Sequence, residues 1–146
     1  MRRSGNSLQL IRAADYGIRA LVHLAGLPEG GRMLLPELAR ATGVPPSFLS
    51  KVLQELCHAG FVASFRGQAG GFAILENGRR ATVSAVIAAV DSPIRLNLCL
   101  APGRSCDRKA DCPAHPVWVR AQMALLRVLD AQTIADLATE SAAKAN

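Results

Sequence analysis

The sequence predicts a mainly α-helical fold with one small β-hairpin, and three observations support this class. Through most of the chain, apolar residues recur at the three- and four-residue steps of amphipathic helices. Residues 61–75 differ, because they contain two short runs of strand-forming residues around a glycine-rich turn. The length of 146 residues, of which 50% are hydrophobic, suits one core or two small ones and excludes large barrels and doubly wound folds.

The first half of the chain contains a helix-turn-helix pattern. Residues 8–26 and 36–42 predict the first two helices, and the second ends at Gly43, which without a Cβ can adopt a left-handed conformation. Pro45 and Pro46 then open a third helix, because the N–H groups of a first turn have no helical partners. Two helices joined by a turn of about four residues match a helix-turn-helix.

A predicted hairpin follows this pattern directly. Its strands are residues 61–65 and 71–75, and the glycine-rich turn between them, residues 66–70, carries Arg66. A helix-turn-helix followed by a hairpin is a winged helix. We therefore predict a winged helix-turn-helix DNA-binding domain in residues 1–80.

The remaining residues, 81–146, predict a cysteine loop and a long dimerisation helix. A helix capped by Thr82 comes first, the loop occupies residues 96–113, and the long helix begins at His115. Thr133 is predicted to cap a short final helix, residues 134–138. The long helix is apolar on more than one face, so it needs a second covering surface, which we expect from another copy of the chain. The sequence thus predicts a homodimer.

The charge distribution indicates a polyanionic partner. Residues 1–80 carry ten cations and five anions, whereas residues 81–146 carry seven and six, so nearly all of the net charge of +6 lies in the predicted winged helix. Fourteen of the seventeen cations are arginines, whose planar guanidinium suits phosphate groups and base edges. A basic protein can also use its charge for solubility. The uneven distribution favours double-stranded DNA.

The residues predicted to contact DNA lie at the start of the third helix and at the tip of the hairpin. The first turns of a recognition helix reach base edges in the major groove, and an arginine at a wing tip suits a narrow minor groove. Phe48 has two open interpretations, contact with a thymine methyl group or packing inside the protein. The candidates are Ser47, Phe48, Ser50, Lys51, Gln54, Arg66 and Gly67, with Arg2, Arg3, Arg12 and Arg19 as further phosphate contacts.

Three of the four cysteines share one predicted loop. Cys99, Cys106 and Cys112 have the spacing C-x6-C-x5-C, and His115 extends it by C-x2-H. Thiolates on one loop can converge on a metal centre, with the imidazole as a further ligand. Cys/His ligation does not identify the metal, so a zinc site or a thiol/disulfide switch stays open. Cys57, on the apolar side of the third helix, is predicted to be a buried hydrophobic residue.

Other classes of protein find little support. The sequence contains no recognisable set of Ser, His and Asp, no phosphate-binding loop and no paired carboxylates, so we expect no enzyme activity. The longest nearly apolar run, residues 82–90, is far shorter than the ~20 residues of a membrane span, and charged residues interrupt any leader-like segment. We expect a cytoplasmic protein without membrane contact, in a reducing compartment where clustered thiols favour metal binding.

Several segments together resemble the Rrf family of bacterial winged-helix regulators. The cysteine loop is similar to that of the iron-sulfur members, of the IscR, NsrR and RirA types, although the gap from Cys99 to Cys106 departs by one residue from their commonest spacing. The resemblance covers about residues 8–138. It is carried by residues 15–21 (DYGIRAL), 47–53 (SFLSKVL), 59–62 (AGFV), 66–67 (RG), 70–72 (GGF) and 133–137 (TIADL).

The resemblance implies a homodimer, held by the long helix, that binds a palindromic operator. It also implies a [2Fe-2S] or [4Fe-4S] cluster on Cys99, Cys106 and Cys112 whose state alters DNA affinity. His115 matches the fourth ligand of the cluster-biogenesis regulators, and Asp15 matches a ligand that the other protomer supplies in the nitric oxide sensors, so both candidates stay open. The predicted function is a transcriptional regulator that senses iron-sulfur, redox or nitric oxide status.

Overall fold

The structure, a computed structural model, describes residues 7–103 and 106–146. Within these ranges the chain forms seven α-helices and one two-stranded β-hairpin. The predicted mainly helical class with a hairpin wing is confirmed. A short 3-10 turn, Leu98–Leu100, lies within the predicted cysteine loop. In chain order the elements are α1 (Ser7–Ala25), α2 (Leu35–Thr42), α3 (Pro46–His58), β1 (Val62–Phe65), β2 (Gly71–Ile74), α4 (Glu76–Arg80), α5 (Val83–Val90), α6 (His115–Asp130) and α7 (Ile134–Ala145).

The core surrounds α1, which contacts α2, α3, α5 and α7. Leu21 and Leu24 of α1 are buried in one cluster with Val86 of α5 and Ile134 of α7. Each large aliphatic side chain contributes about 1.5–3 kcal/mol by leaving water. The core therefore draws on elements before and after residue 80, and the division into two domains at that point stays a prediction.

The predicted helix-turn-helix is present as α2 and α3. Gly43 has a φ of 71°, and its N–H and that of Val44 donate to the Ala39 carbonyl at 2.9 and 3.2 Å. The side chain of Val44 is buried in the core between these helices and α1. The Pro45 carbonyl accepts the Leu49 N–H at 2.9 Å and so starts α3. These contacts fix α3 against α2, which gives the exposed face of α3 a defined orientation.

The predicted wing is present as β1 and β2, which pair antiparallel with Val62 opposite Ile74. Met33, just before α2, adds a third backbone segment beside β2. Its N–H donates to the Phe72 carbonyl at 3.0 Å, and its carbonyl accepts the Phe72 N–H at 2.8 Å. Val62 is buried in the core. The wing is therefore anchored at its base, while its tip extends into solvent.

The pairing of Met33 with β2 requires glycine at position 71. Gly71 has a φ of +117°, and a Cβ there would lie 2.6 Å from the Met33 carbonyl oxygen. We expect Gly71→Ala to lower the free energy of unfolding by about 2–4 kcal/mol, from backbone strain and steric overlap together. Gly67→Ala is the matched control, because Gly67 also has a positive φ, +92°, with open space at its Cβ. Urea unfolding measures both variants, and equal losses of stability would contradict the steric part of this prediction.

Two helices differ from the prediction. α4 is absent from it, because five residues without apolar periodicity carry no helix signal. The helix is held by tertiary contacts instead, since Arg79 Nη1 donates to the Ala25 carbonyl at the end of α1 at 3.0 Å. The prediction for α7 was too short: this helix extends to Ala145 rather than to residue 138, over an alanine-rich sequence that favours helix.

Both predicted helix caps are present. The Thr82 hydroxyl oxygen accepts the Ala85 N–H at 3.3 Å, and that of Thr133 accepts the Asp136 N–H at 3.2 Å. The backbone N–H and the hydroxyl of Thr133 also donate to the Asp136 carboxylate, and these hydrogen bonds lower the pKa of that carboxyl. Because the charged form is favoured, this contact supports α7 above the usual titration range of aspartate and is lost in strong acid.

The long helix α6 contains no buried residue. Val117, Met123 and Val128 are exposed to 52%, 59% and 71%. Polar contacts hold the helix at two points: Gln122 binds the backbone of residues 94 and 96, and the Asp130 carboxylate accepts the hydroxyl groups of residues 82 and 84. The single chain therefore leaves several large apolar side chains of α6 uncovered. Even so, none of the helices in the described part of the chain is long and apolar enough to cross a membrane.

Candidate functional site

The exposed face of α3 carries the polar residues predicted to read DNA. Leu49, Val52, Leu53 and Leu56 point into the core, so the helix can turn only one side outward. On that side Ser47, Lys51 and Gln54 are exposed, and Ser50 is half-buried. The first three turns of α3 thus present one cation with hydroxyl and amide groups, a set suited to phosphates and base edges.

Phe48 is neither fully packed inside the protein nor fully exposed for contact with DNA, the two interpretations that the sequence leaves open. Its ring meets the Tyr16 ring of α1 edge-on, with centroids 5.3 Å apart and planes at 83°. It nevertheless stays 41% exposed. Phe48 therefore braces α3 against α1 on one side and offers an apolar surface to a ligand on the other.

The wing tip combines an exposed cation with a residue that sequence reasoning missed. Arg66 and Gly67 are both exposed at the tip. The guanidinium carbon of Arg32 lies 3.6 Å from the centroid of the Phe65 ring, and Arg32 Nη1 donates to the Ala69 carbonyl at 3.0 Å. No local pattern could reveal Arg32, because its partners are more than thirty residues away in the chain.

One predicted phosphate contact has partners within the protein. Arg19 Nη2 lies 2.8 Å from the Asp15 carboxylate, and Arg19 Nη1 donates to the Thr42 carbonyl at 3.4 Å. Arg19 therefore links α1 to the end of α2. Arg12 is exposed, whereas Arg2 and Arg3 lie outside the described residues.

Cys99 and His115 line one cavity of about 520 Å³, together with Lys109 and Val119. Cys99 is buried, at 8% exposure, in the 3-10 turn, and His115 opens α6. The Nδ1 atom of His115 is buried without a hydrogen-bond partner among the residues described. A buried imidazole nitrogen without a partner is uncommon and calls for a ligand, a proton or a water molecule. One cavity thus has both Cys99 and His115 in its lining.

The other two loop cysteines lie outside the lining of this cavity. Cys106 is exposed and Cys112 is half-buried. Within 7–103 and 106–146, no three His, Cys, Asp or Glu side chains come close enough to hold a metal ion. The described structure therefore brings together two of the four predicted ligands, Cys99 and His115.

Asp15, the alternative fourth ligand, lies in a separate groove. It is half-buried and lines an apolar space of about 1030 Å³ between α1, α5, residues 92–98 and α6. Ala101 borders both this groove and the cavity of Cys99 and His115. The Asp15 carboxylate is already paired with Arg19, whereas His115 Nδ1 has no such partner in the part of the chain that the structure describes.

Cys57 corrects one prediction. It packs against the core but is half-buried rather than fully buried, because it lies at the last turn of α3 near the helix end. Partial burial raises the pKa of its thiol. Cys57 therefore stays protonated at neutral pH and is a poor nucleophile.

A helix-turn-helix with an outward polar face, followed by a hairpin wing, defines a winged-helix protein of the DNA-binding class. The chain belongs to the Rrf2 family, since the model of that family, described as iron-dependent transcriptional regulators, matches residues 10–140. The predicted resemblance is confirmed. Because this family consists of transcriptional regulators, the chain is a DNA-binding regulator and not an enzyme.

Solved structures share this fold at low sequence identity. CymR of B. subtilis, described as the global cysteine regulator, matches with a TM-score of 0.71 and 24% identity over 96% of this chain and 98% of that chain. IscR of T. potens matches with 0.69 and 23% over 88% and 85%. The oxidized form of CymR from Staphylococcus aureus matches with 0.65 and 24% over 86% and 92%. These likenesses extend to the whole winged-helix architecture with its long helix.

Proposed function

We propose that the chain is a homodimeric regulator whose affinity for a palindromic DNA operator depends on an iron-sulfur cluster. Cys99, Cys106, Cys112 and His115 would hold the cluster. The observation that carries this proposal is that Cys99 and His115 line one cavity, while His115 Nδ1 has no hydrogen-bond partner among the residues that the structure describes. The family description as iron-dependent regulators supports it.

The donor set fits such a cluster in its chemistry. Cysteine thiolates are the usual ligands of iron-sulfur clusters, and histidine nitrogens replace some of them in certain centres. Lys109 lines the cavity and Arg108 is exposed beside it, so cations are at hand to offset the thiolate charge. When bound, such a cluster supplies a centre whose charge and integrity respond to oxidants or nitric oxide. Ligation would draw Cys106 and Cys112 toward the cavity and order the loop.

Contacts of Gln122 connect this loop to the dimerisation helix. The Gln122 side chain donates to the Ile94 carbonyl and accepts the Leu96 N–H at 2.9 Å. A displacement of the segment before Cys99 therefore acts on α6 through two hydrogen bonds. At its far end α6 is bound to Thr82, which caps α5, and α5 packs against α1 and α3. This chain of contacts supports coupling between the loop and the recognition helix.

The exposed apolar side chains of α6 support the homodimer. Val117, Trp118, Met123 and Val128 are all exposed large hydrophobic residues on this one helix. A second copy of α6 would cover them and place two α3 helices at a fixed distance, as the two halves of a palindromic site require. Sedimentation of the protein at micromolar concentration should give twice the monomer mass of 15.4 kDa.

Anaerobic isolation tests the cluster. The protein should be brown, absorb in the visible range and contain iron and acid-labile sulfide in equal amounts. Its affinity for DNA, measured on a duplex that the protein selects from a random-sequence pool, should change when the cluster is removed by chelation. A colourless, iron-free protein with unchanged DNA affinity would contradict the proposal.

A thiol switch or a zinc site is the second candidate, because Cys106 and Cys112 lie outside the cavity and are accessible. The similar fold of CymR, solved also in an oxidized form, makes this alternative concrete. Metal analysis of the anaerobic protein distinguishes zinc from iron. A reversible loop disulfide in metal-free protein would favour the thiol switch.

Thiol labelling tests the accessibility on which this second candidate depends. In metal-free protein, exposed Cys106 should react with iodoacetamide at least about tenfold faster than Cys57, whose burial raises its pKa. Mass spectrometry of peptides at successive times gives the order. Labelling of Cys57 before Cys106 would contradict the described exposure of the loop.

A further inference from the structure

We propose that Arg32 is a positioning residue that holds the wing in the orientation that presents Arg66 to DNA. The proposal rests on the proposed DNA binding and on the predicted contact of Arg66 at the wing tip with DNA. Arg32 lies in the segment between α1 and α2, outside both the recognition helix and the hairpin. Its side chain nevertheless contacts the wing on both sides of the tip.

The two contacts of Arg32 enclose the tip residues. The guanidinium carbon lies 3.6 Å from the centroid of the Phe65 ring, at the end of β1. Arg32 Nη1 donates to the carbonyl of Ala69, just before β2, at 3.0 Å. Arg66 and Gly67 lie between these two attachment points. The position of the Arg66 backbone therefore depends on a side chain from outside the hairpin.

The backbone next to Arg32 keeps its side chain close to the wing. Met33 pairs with Phe72 through two hydrogen bonds of 3.0 and 2.8 Å, which aligns this segment with β2. The hairpin itself has only four residues in each strand. A two-stranded hairpin of this size is marginally stable alone, so a third segment and a side-chain clamp limit its movement.

Arginine is required for both contacts at once. The planar guanidinium can stack on an aromatic face while an N–H at its edge donates to a carbonyl. A lysine ammonium keeps the charge but is a compact group without a plane to stack. Arg32 forms no ion pair with a carboxylate in the described part of the chain, so the wing is its structural partner.

The expected loss of DNA affinity in Arg32 variants depends on the fraction of molecules in which the wing is oriented for contact with DNA. If the clamp is lost, the wing samples further orientations, and the apparent dissociation constant rises as the competent fraction falls. We expect Arg32→Ala to weaken binding by about five- to tenfold, which is what the loss of one exposed cation–π contact and one hydrogen bond predicts. Arg32→Lys should recover only a small part of this loss.

Phe65 variants separate positioning from direct contact with phosphate. Phe65→Leu removes the ring and leaves every charge in place, so it should weaken binding about as much as losing the stacking contact does, without changing the salt dependence. Phe65→Tyr keeps the ring face and should retain near wild-type affinity. All variants are measured as the full dimeric protein on the duplex selected by the wild type, with thermal unfolding of each recorded in parallel.

Combination with Arg66→Ala makes the test decisive. In that background Arg32→Ala should change affinity by less than about twofold, because the residue that the clamp presents is gone.

Undiminished DNA binding by Arg66→Ala would overturn the wing contact and the clamp with it. If Arg66→Ala weakens binding but Arg32→Ala and Phe65→Leu do not, only the clamp is overturned. A salt slope reduced by about one in Arg32→Ala, with no effect of Phe65→Leu, would instead identify Arg32 as a phosphate contact. Should Arg32→Ala unfold, Arg32→Lys and Phe65→Leu carry the same comparison.

Discussion

His115→Ala should lose most of its bound iron, at least about tenfold relative to the wild type, and should lose the visible absorption with it. The physical reason is that His115 shares a cavity with Cys99 and has a buried Nδ1 without a hydrogen-bond partner in residues 7–103 and 106–146, so a ligand at this nitrogen would satisfy an otherwise costly group. Absorption spectra and iron analysis of anaerobically isolated variants measure the effect. Cys99→Ser should have an effect as large.

Asp15→Ala is the competing variant in this experiment, because the resemblance also allows Asp15 as a ligand from the other protomer. The carboxylate of Asp15 is paired with Arg19 at 2.8 Å and lines a different groove, so we expect this variant to keep its iron. Cys57→Ser is the matched thiol control and should behave as the wild type. Loss of the cluster in Asp15→Ala, with an unchanged spectrum in His115→Ala, would assign the fourth ligand to Asp15 instead.

Local signals in the sequence were sufficient for the parts of the fold that matter most for DNA binding. Three local features each specify a backbone conformation through their own chemistry: Gly43 at the end of α2, the two prolines at the start of α3, and the glycines of the wing. The helix-turn-helix and the wing were therefore predictable. α4 was not, because it depends on the contact of Arg79 with the end of α1, which no short pattern encodes.

The candidate site likewise has some features that the sequence predicts and others that depend on the folded structure. The cysteine spacing identifies the thiols, and the start of α6 identifies His115, because both are features of a short stretch of chain. Which of these residues line the same cavity depends on how the loop folds against α6, so the shared cavity of Cys99 and His115 needed the structure. Arg32 and Gln122 were missed for the same reason, since their partners are 37 and 28 residues away.

The second large effect concerns the recognition helix. Lys51→Ala should weaken DNA binding about tenfold at low salt and reduce the slope of log affinity against log salt by about one, because one phosphate contact would be lost. Gln54→Ala should weaken binding to the selected duplex by a similar factor without changing that slope, since an amide that pairs with a base edge releases no counterion. Both side chains are exposed on the outer face of α3, so neither change should lower the stability of the fold.

Lys144→Ala is the control for the loss of a positive charge, because Lys144 is exposed in the last turn of α7, outside the winged helix. Its affinity and salt slope should equal those of the wild type. Fluorescence anisotropy over a series of potassium chloride concentrations measures all three variants on the selected duplex and on a scrambled one. Gln54→Ala should also narrow the difference between the two duplexes, whereas Lys51→Ala should weaken both alike. If Lys144→Ala lowers the slope as much as Lys51→Ala does, the net charge of the protein drives binding, and α3 has no special part in it.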